Sequence, residues 1–234
     1  MARRARIVVP GLPHHVTHRG NRKANIFLDD EDRILYLKLF RKYSAYYKVW
    51  IWAYTLMINH IHAIVVPSSR EALSKTIRET HASYAAAFNR KYALTGSLWE
   101  MRFYSCAMEE PHLWAAVRYV ERNPVRAGIV SRAEDYLWSS ARAHVASIAD
   151  PLLDQGLPLV GAIANWSDWL AAEDADSQIK AIRQATSTGR PYGSDKFIDR
   201  LEMEFGDRVR AQKRGRKVKP KEAAAVQDEL FGRQ

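Results

Sequence analysis

The chain of 234 residues holds a single cysteine, Cys106. One thiol excludes an internal disulfide framework and any zinc site built from several cysteines. No run of about 18 apolar residues occurs, so no membrane-spanning helix is expected. The opening Met-Ala-Arg-Arg-Ala-Arg is basic but lacks the apolar stretch of a secretory signal, so a reducing, cytoplasmic setting is the expectation. Acidic residues are scarce too. Asp and Glu number 26 against 36 Lys and Arg, a formal net charge of +10. That excess attracts polyanions, and no long basic helix with a clean apolar face favours a membrane surface over nucleic acid.

What is present suffices for one well-packed domain of ~100–150 residues plus an appendage. His14–His18, between Pro13 and Gly20, reads as a first strand. Asp29 and Asp30 offer an N-cap, and Ile34, Leu35, Leu37, Leu39, Phe40 and Tyr43 form the apolar stripe of a helix ending near Tyr47. Trp50–Met57 and His60–Val66 read as strands. Ile58-Asn59 between them is either a tight turn or a kink in one long strand. Ser69 starts a second helix, running to about Tyr92, and Met101–Met108 reads as a fourth strand. A helix over Pro111–Arg122 stops at Asn123-Pro124, where proline disfavours continuation. The order β-α-β-β-α-β is that of an α+β, ferredoxin-like split βαβ, an antiparallel sheet with helices on one face.

Residues i and i+2 of a strand project to one face, their Cα atoms ~7 Å apart. His60 and His62 therefore point the same way and can pinch a metal ion; they can equally be two satisfied histidines on a partly wet face. Spacing alone does not choose. His14 and His18 form a rival pair on one face of the first strand, with Val16 between them, and His14, His15 and His18 read as further metal ligands or as packing and phosphate-contacting groups. In "WAAVRYVERNPVRAGIV", Tyr119 and Asn123 lie four apart and share a helix face. A phenol of pKa ~10 is a poor nucleophile unless helped. A divalent cation that polarises a phosphate supplies such help, and an Asn carbonyl suits a hard cation such as Mg²⁺ or Mn²⁺.

Five stretches together resemble a known family. "NHIHAIV" is similar to the HUH motif (His, bulky hydrophobic, His) of single-tyrosine HUH endonucleases, and "YVERNPVRAGIV" to the tyrosine-bearing helix of REP-associated tyrosine transposases. "HHVTHRGN", "GSLWEMRFYSCAM" and the later "YLWSSARAHV" fit the same group, over roughly residues 10–145. The resemblance implies His60, His62 and Asn123 as metal ligands, with Mg²⁺ or Mn²⁺ as cofactor, and Tyr119 as nucleophile. It also implies cleavage of single-stranded DNA beside hairpin-forming repeats through a 5′-phosphotyrosine link that leaves a 3′-OH, in a cytoplasmic, nucleoid-associated protein. The reading from a different class is a non-catalytic protein that holds structured nucleic acid on a ferredoxin-like sheet. Monomer and homodimer both stay open.

The expected organisation is a nuclease domain over 1–145, a mainly helical extension over 146–207 and a basic tail over 208–234. Ala149–Pro158, with two prolines and a glycine, reads as a linker. Lys213, Arg214, Arg216 and Lys217 lie in a nearly acid-free run suited to salt-sensitive phosphate binding, or to a solubilising tail. Arg19, Asn21, Arg102 and Arg126 are further DNA-binding candidates. Trp50, Trp52 and Trp99 are candidates to stack bases, core packing being the competing use for the first two.

Overall fold

The computed structural model of the chain describes residues 6–154, 163–206 and 209–210. Four strands, β1 (His14–Arg19), β2 (Val49–Met57), β3 (His60–Pro67) and β4 (Tyr104–Ala107), form one sheet in the order β2-β3-β1-β4. Every pairing is antiparallel. Helices α1 (Asp30–Tyr47) and α2 (Ala72–Lys91) make the two crossovers, so the expected α+β, ferredoxin-like connectivity is realised.

Local chemistry accounts for the element ends. Asp29 caps α1 in a reciprocal capping box with Asp32, which satisfies N–H groups that the first turn leaves unpaired. Ile58-Asn59 is a two-residue hairpin turn, because Met57 already faces His60 across the ladder. Strand β4 is shorter than expected. Trp99 and Glu100 already bond to the chain around Gly20 and Arg19, and the ladder resumes only at Tyr104.

One irregularity in β2 decides which side chains share a face. Ile51 faces Val65 but Ala53 faces Ile64, so Trp52 is the extra residue of a bulge. Before the bulge, Ile51 joins Ile61, Ala63 and Val65 in the core under α1 and α2, with Tyr36, Phe40, Leu73, Ile77 and Tyr84. After it, Ala53, Thr55 and Met57 stand beside Ile64, His62 and His60 on the opposite face.

The expectation of helices on one face holds for α1 and α2. The opposite face is covered by later elements: α3 (Glu110–Glu121), α4 (Asn123–Arg126), α5 (Ala141–Ala146), α6 (Trp166–Ala171) and α7 (Asp176–Thr188). Leu113, Ala116, Val117 and Val120 of α3 pack on Ala53, Ile64 and Cys106, together with Trp166, Leu170, Ile182 and Ala185 of the extension. Helix α8 (Asp195–Phe205) closes a small third core through Phe197 and Leu201 against Ile7, Val9 and Ala107.

The segment expected as a linker is, in its described part, packed down. Asp154 accepts the N–H of Ile51 at 2.9 Å, Asp150 accepts the Tyr54 hydroxyl at 2.7 Å, and Leu152 is buried in the first core. Composition missed this because β2 is an edge strand, and an edge N–H gains from any acceptor laid alongside it. Lys213, Arg214, Arg216 and Lys217, with the basic tail, lie outside the described residues. No described helix is long and apolar enough to cross a membrane.

Candidate active site

On the face away from α1 and α2, side chains from β1, β3, α3, α4 and α7 line a cleft of about 570 Å³. The alternation of β3 sends Ile61 and Ala63 into the core and His60 and His62 into this cleft. Their rings meet edge to face at 5.0 Å. Tyr119 stands edge-on to His62 at 5.7 Å and to His15 at 5.6 Å between ring centres. Asn123 and Arg126, both from the turn that Pro124 starts, line the same cleft, as does Arg19.

Helix α3 holds Tyr119 in place through its neighbours. The Val120 carbonyl accepts the Thr55 hydroxyl at 2.9 Å, and Glu121 is fully buried. The Glu121 carboxylate accepts from Ser140 Oγ at 2.5 Å, His144 Nδ1 at 2.6 Å and Trp166 Nε1 at 2.8 Å. A buried carboxylate needs such a set, since burying a charge without partners is costly. Asp174 receives Arg118, Arg122 and Arg126 at 3.0, 3.3 and 3.1 Å. Arg126 also donates to the Tyr119 carbonyl, and its guanidinium lies 4.2 Å from the centre of the Tyr119 ring.

The histidines of the cleft are held neutral. Burial, helped by the Arg19 charge, lowers His60 to about 4, and burial beside Arg126 lowers His15 to about 3. His62 is driven well below the ordinary range by burial and by the positive groups around it. A neutral imidazole is the form that ligates a metal. The Nδ1 of His60 donates to Asn59 Oδ1 at 2.6 Å, which leaves a lone pair on Nε2. Among the described residues no three His, Cys, Asp or Glu gather in ligating geometry. The donor set fits a cation held by two imidazoles and an amide oxygen: His60 and His62 share a strand face, and Asn123 lines the same cleft.

Other expected residues fall elsewhere. Asn21 and Arg102 line a neighbouring cleft along the β4 edge, with Arg6, Arg22 and Tyr104. His14 and His18 lie on the α1–α2 side of the sheet, His18 bonding His81 Nδ1 at 2.8 Å. It is His15, on the opposite pleat, that joins His62. Trp99 is not a base platform: it is buried, stacks on His81 at 4.0 Å and donates to the His81 carbonyl. Trp52 is half-buried against the second core, whereas Trp50 is 44% exposed.

Sequence reasoning missed two residues of α7. Arg183 Nε donates to the Tyr119 hydroxyl at 3.4 Å, and Thr186 Oγ1 lies 2.8 Å from His15 Nδ1. Nothing in their local pattern marks them, since only docking of α7 brings them to the cleft. It also missed Tyr104, 45% exposed on the edge strand where the two clefts adjoin. The period-2 grouping of His15 with Thr17 and Arg19 was a legible signal for His15.

No curated relative matches the sequence. Among solved structures, the chain is similar to a REP-associated tyrosine transposase bound to a REP hairpin, at 20% identity and a TM-score of 0.53. That match covers 67% of this chain and 93% of the other. A candidate transposase from Deinococcus radiodurans R1 matches at 13% identity and a TM-score of 0.37, over 52% of this chain and 97% of the other. The family described as "Transposase IS200 like" matches residues 8–123, the stretch that carries all four strands, α1, α2, the histidine pair and Tyr119 through to Asn123. The chain belongs to the IS200-like transposase family.

Proposed function

We propose that the protein is a metal-dependent, single-strand DNA endonuclease and strand transferase whose nucleophile is Tyr119. The observation that carries this reading is the placement of Tyr119 edge-on to His62, with His60, Asn123 and Arg126 in one open cleft. The Tyr119 oxygen attacks a phosphodiester phosphorus in line and forms the phosphotyrosine bond. The bond from phosphorus to the 3′ oxygen breaks, and the phenolic proton is accounted for in the 3′-OH released. Because one ester replaces another, the linkage energy is retained and a later 3′-OH can reverse the step.

Among the chain's own groups, His60, His62 and the Asn123 amide oxygen would hold a divalent cation, Mg²⁺ or Mn²⁺. That cation neutralises charge on the phosphate when bound. Arg19, Arg126 and Arg183 bring guanidinium groups to the cleft, suited to phosphate oxygens. Strands beside hairpin-forming repeats are the expected substrate class; a protein of similar fold was solved bound to a REP hairpin. Asn21, Arg102 and the basic residues Lys213, Arg214, Arg216 and Lys217 are assigned to flanking phosphate contacts.

The test is a hairpin-bearing single strand incubated with the full chain and Mg²⁺ or Mn²⁺, resolved on a denaturing gel. A protein–DNA adduct that vanishes in Tyr119→Phe is expected. Cleavage with turnover and no adduct would mean hydrolysis by water, and binding without cleavage under either ion would mean a non-catalytic binder.

A further inference from the structure

Three short contacts run in series from the extension to the histidine pair. Thr186 Oγ1 donates to the carbonyl of Ile182, one turn back on α7, at 2.8 Å. The same oxygen lies 2.8 Å from His15 Nδ1, and His15 Nε2 lies 2.8 Å from His62 Nδ1. All three residues are buried. A hydroxyl has one proton. With that proton given to Ile182, Thr186 can only accept from His15, so His15 carries its proton on Nδ1. His15 Nε2 is then an acceptor, and His62 must carry its proton on Nδ1. The Cys106 thiol, 3.4 Å from the same Thr186 oxygen, fits as a further donor. The opposite assignment would put a proton on His62 Nε2, which has no acceptor among the described residues.

We infer that Thr186, in the extension beyond the family-matched segment, is a positioning residue that sets the tautomer of His62 through His15 and so leaves the His62 Nε2 lone pair for a metal ion. Outer-shell partners of a ligating histidine fix ring orientation in this way, and losing one costs about 10–100-fold in metal affinity. His60 reaches the same state by a separate device, its bond to Asn59. The inference rests on the proposed metal site, but the tautomer itself does not require a metal.

The experiment takes the full chain, labelled with ¹⁵N at histidine and free of metal, and reads each ring's protonated nitrogen by long-range ¹H–¹⁵N correlation. A parallel Mn²⁺ titration is followed by electron paramagnetic resonance. In the wild type His62 is expected to be protonated at Nδ1. Thr186→Val should lose that single tautomer and bind Mn²⁺ about 10-fold or more weakly, while Thr186→Ser, which keeps the hydroxyl, should match the wild type within about threefold. A wild-type His62 protonated at Nε2 overturns the inference, and so does a folded Thr186→Val with unchanged tautomer and unchanged Mn²⁺ affinity. If the wild type binds no Mn²⁺, the proposed metal site fails while the tautomer measurement still decides the relay. If Thr186→Val does not fold, Thr186→Ala replaces it.

Discussion

Arg183 Nε approaches the Tyr119 hydroxyl at 3.4 Å, from a helix that lies 64 residues further along the chain. Arg126, over the ring of the same tyrosine, is paired with Asp174, whereas Arg183 has no carboxylate partner among the described residues. An unneutralised guanidinium beside the attacking oxygen is suited to the charge that builds on phosphate during transfer. Arg183→Ala should slow adduct formation by about 10²–10³-fold, and Arg183→Lys by less. Single-turnover gels, with strand affinity measured separately, check this. An adduct rate within about threefold of the wild type would remove Arg183 from the mechanism.

Glu121 ties α3 to α5 and α6. Glu121→Ala would leave the donors of His144 and Trp166 without their acceptor, while Ser140 keeps the Tyr54 carbonyl at 3.3 Å. Leaving buried polar groups unpaired costs about 1–3 kcal/mol each, so a loss of roughly 2 kcal/mol or more is expected in urea unfolding. A change below about 1 kcal/mol would show that these groups find water instead.

Asp174 neutralises three arginines at once. Asp174→Asn should lower stability by about 2–4 kcal/mol, because three like charges remain close together without their counter-ion. Released from Asp174, Arg126 also loses its fixed position over Tyr119. The adduct rate should therefore fall even at temperatures where the variant is fully folded, which circular dichroism verifies.

A second histidine group, on the α1–α2 face, makes the protein acid-sensitive. His14 Nδ1 donates to the Leu12 carbonyl at 2.8 Å while its Nε2 accepts from Val9 N–H, so a second proton has no acceptor. Burial lowers His14 and His18 to about 4, and His81 well below the ordinary range. The unfolded chain takes up these protons near pH 6.5 and the folded chain does not. Stability is thus unaffected above that pH and declines as pH falls from about 6.5 toward 4, by up to about 1.4 kcal/mol per ring per pH unit. Urea midpoints at pH 7.5, 6 and 5 check this, and a flat profile would contradict it.

Replacing Lys213, Arg214, Arg216 and Lys217 together by alanine should reduce the salt dependence of strand binding. Each lost phosphate contact lowers the slope of log affinity against log salt by about 0.7 for a single strand. An unchanged slope would assign those residues to solubility alone.

Much of this was legible without a structure, for physical reasons. Strand and helix periods, the Asp29 cap and the order of elements specify the α+β scaffold, because they act over a few residues at a time. The i, i+2 spacing of His60 and His62 follows from the pleat of any strand, and the i, i+4 spacing of Tyr119 and Asn123 from the helix repeat. Tertiary packing alone decided the rest. Whether β3 turns its histidines toward Tyr119 depends on strand order and on which face α3 covers. Which histidine of "HHVTH" joins them depends on register: Thr17 faces His62 across the ladder, so His15 reaches the cleft while His14 and His18 reach the core. The parts played by Arg183, Thr186 and Asp174 depend on α7 and the loop before it lying against α3 and β4. Contacts between residues so far apart in the chain leave no local period, and only the folded packing brings them together.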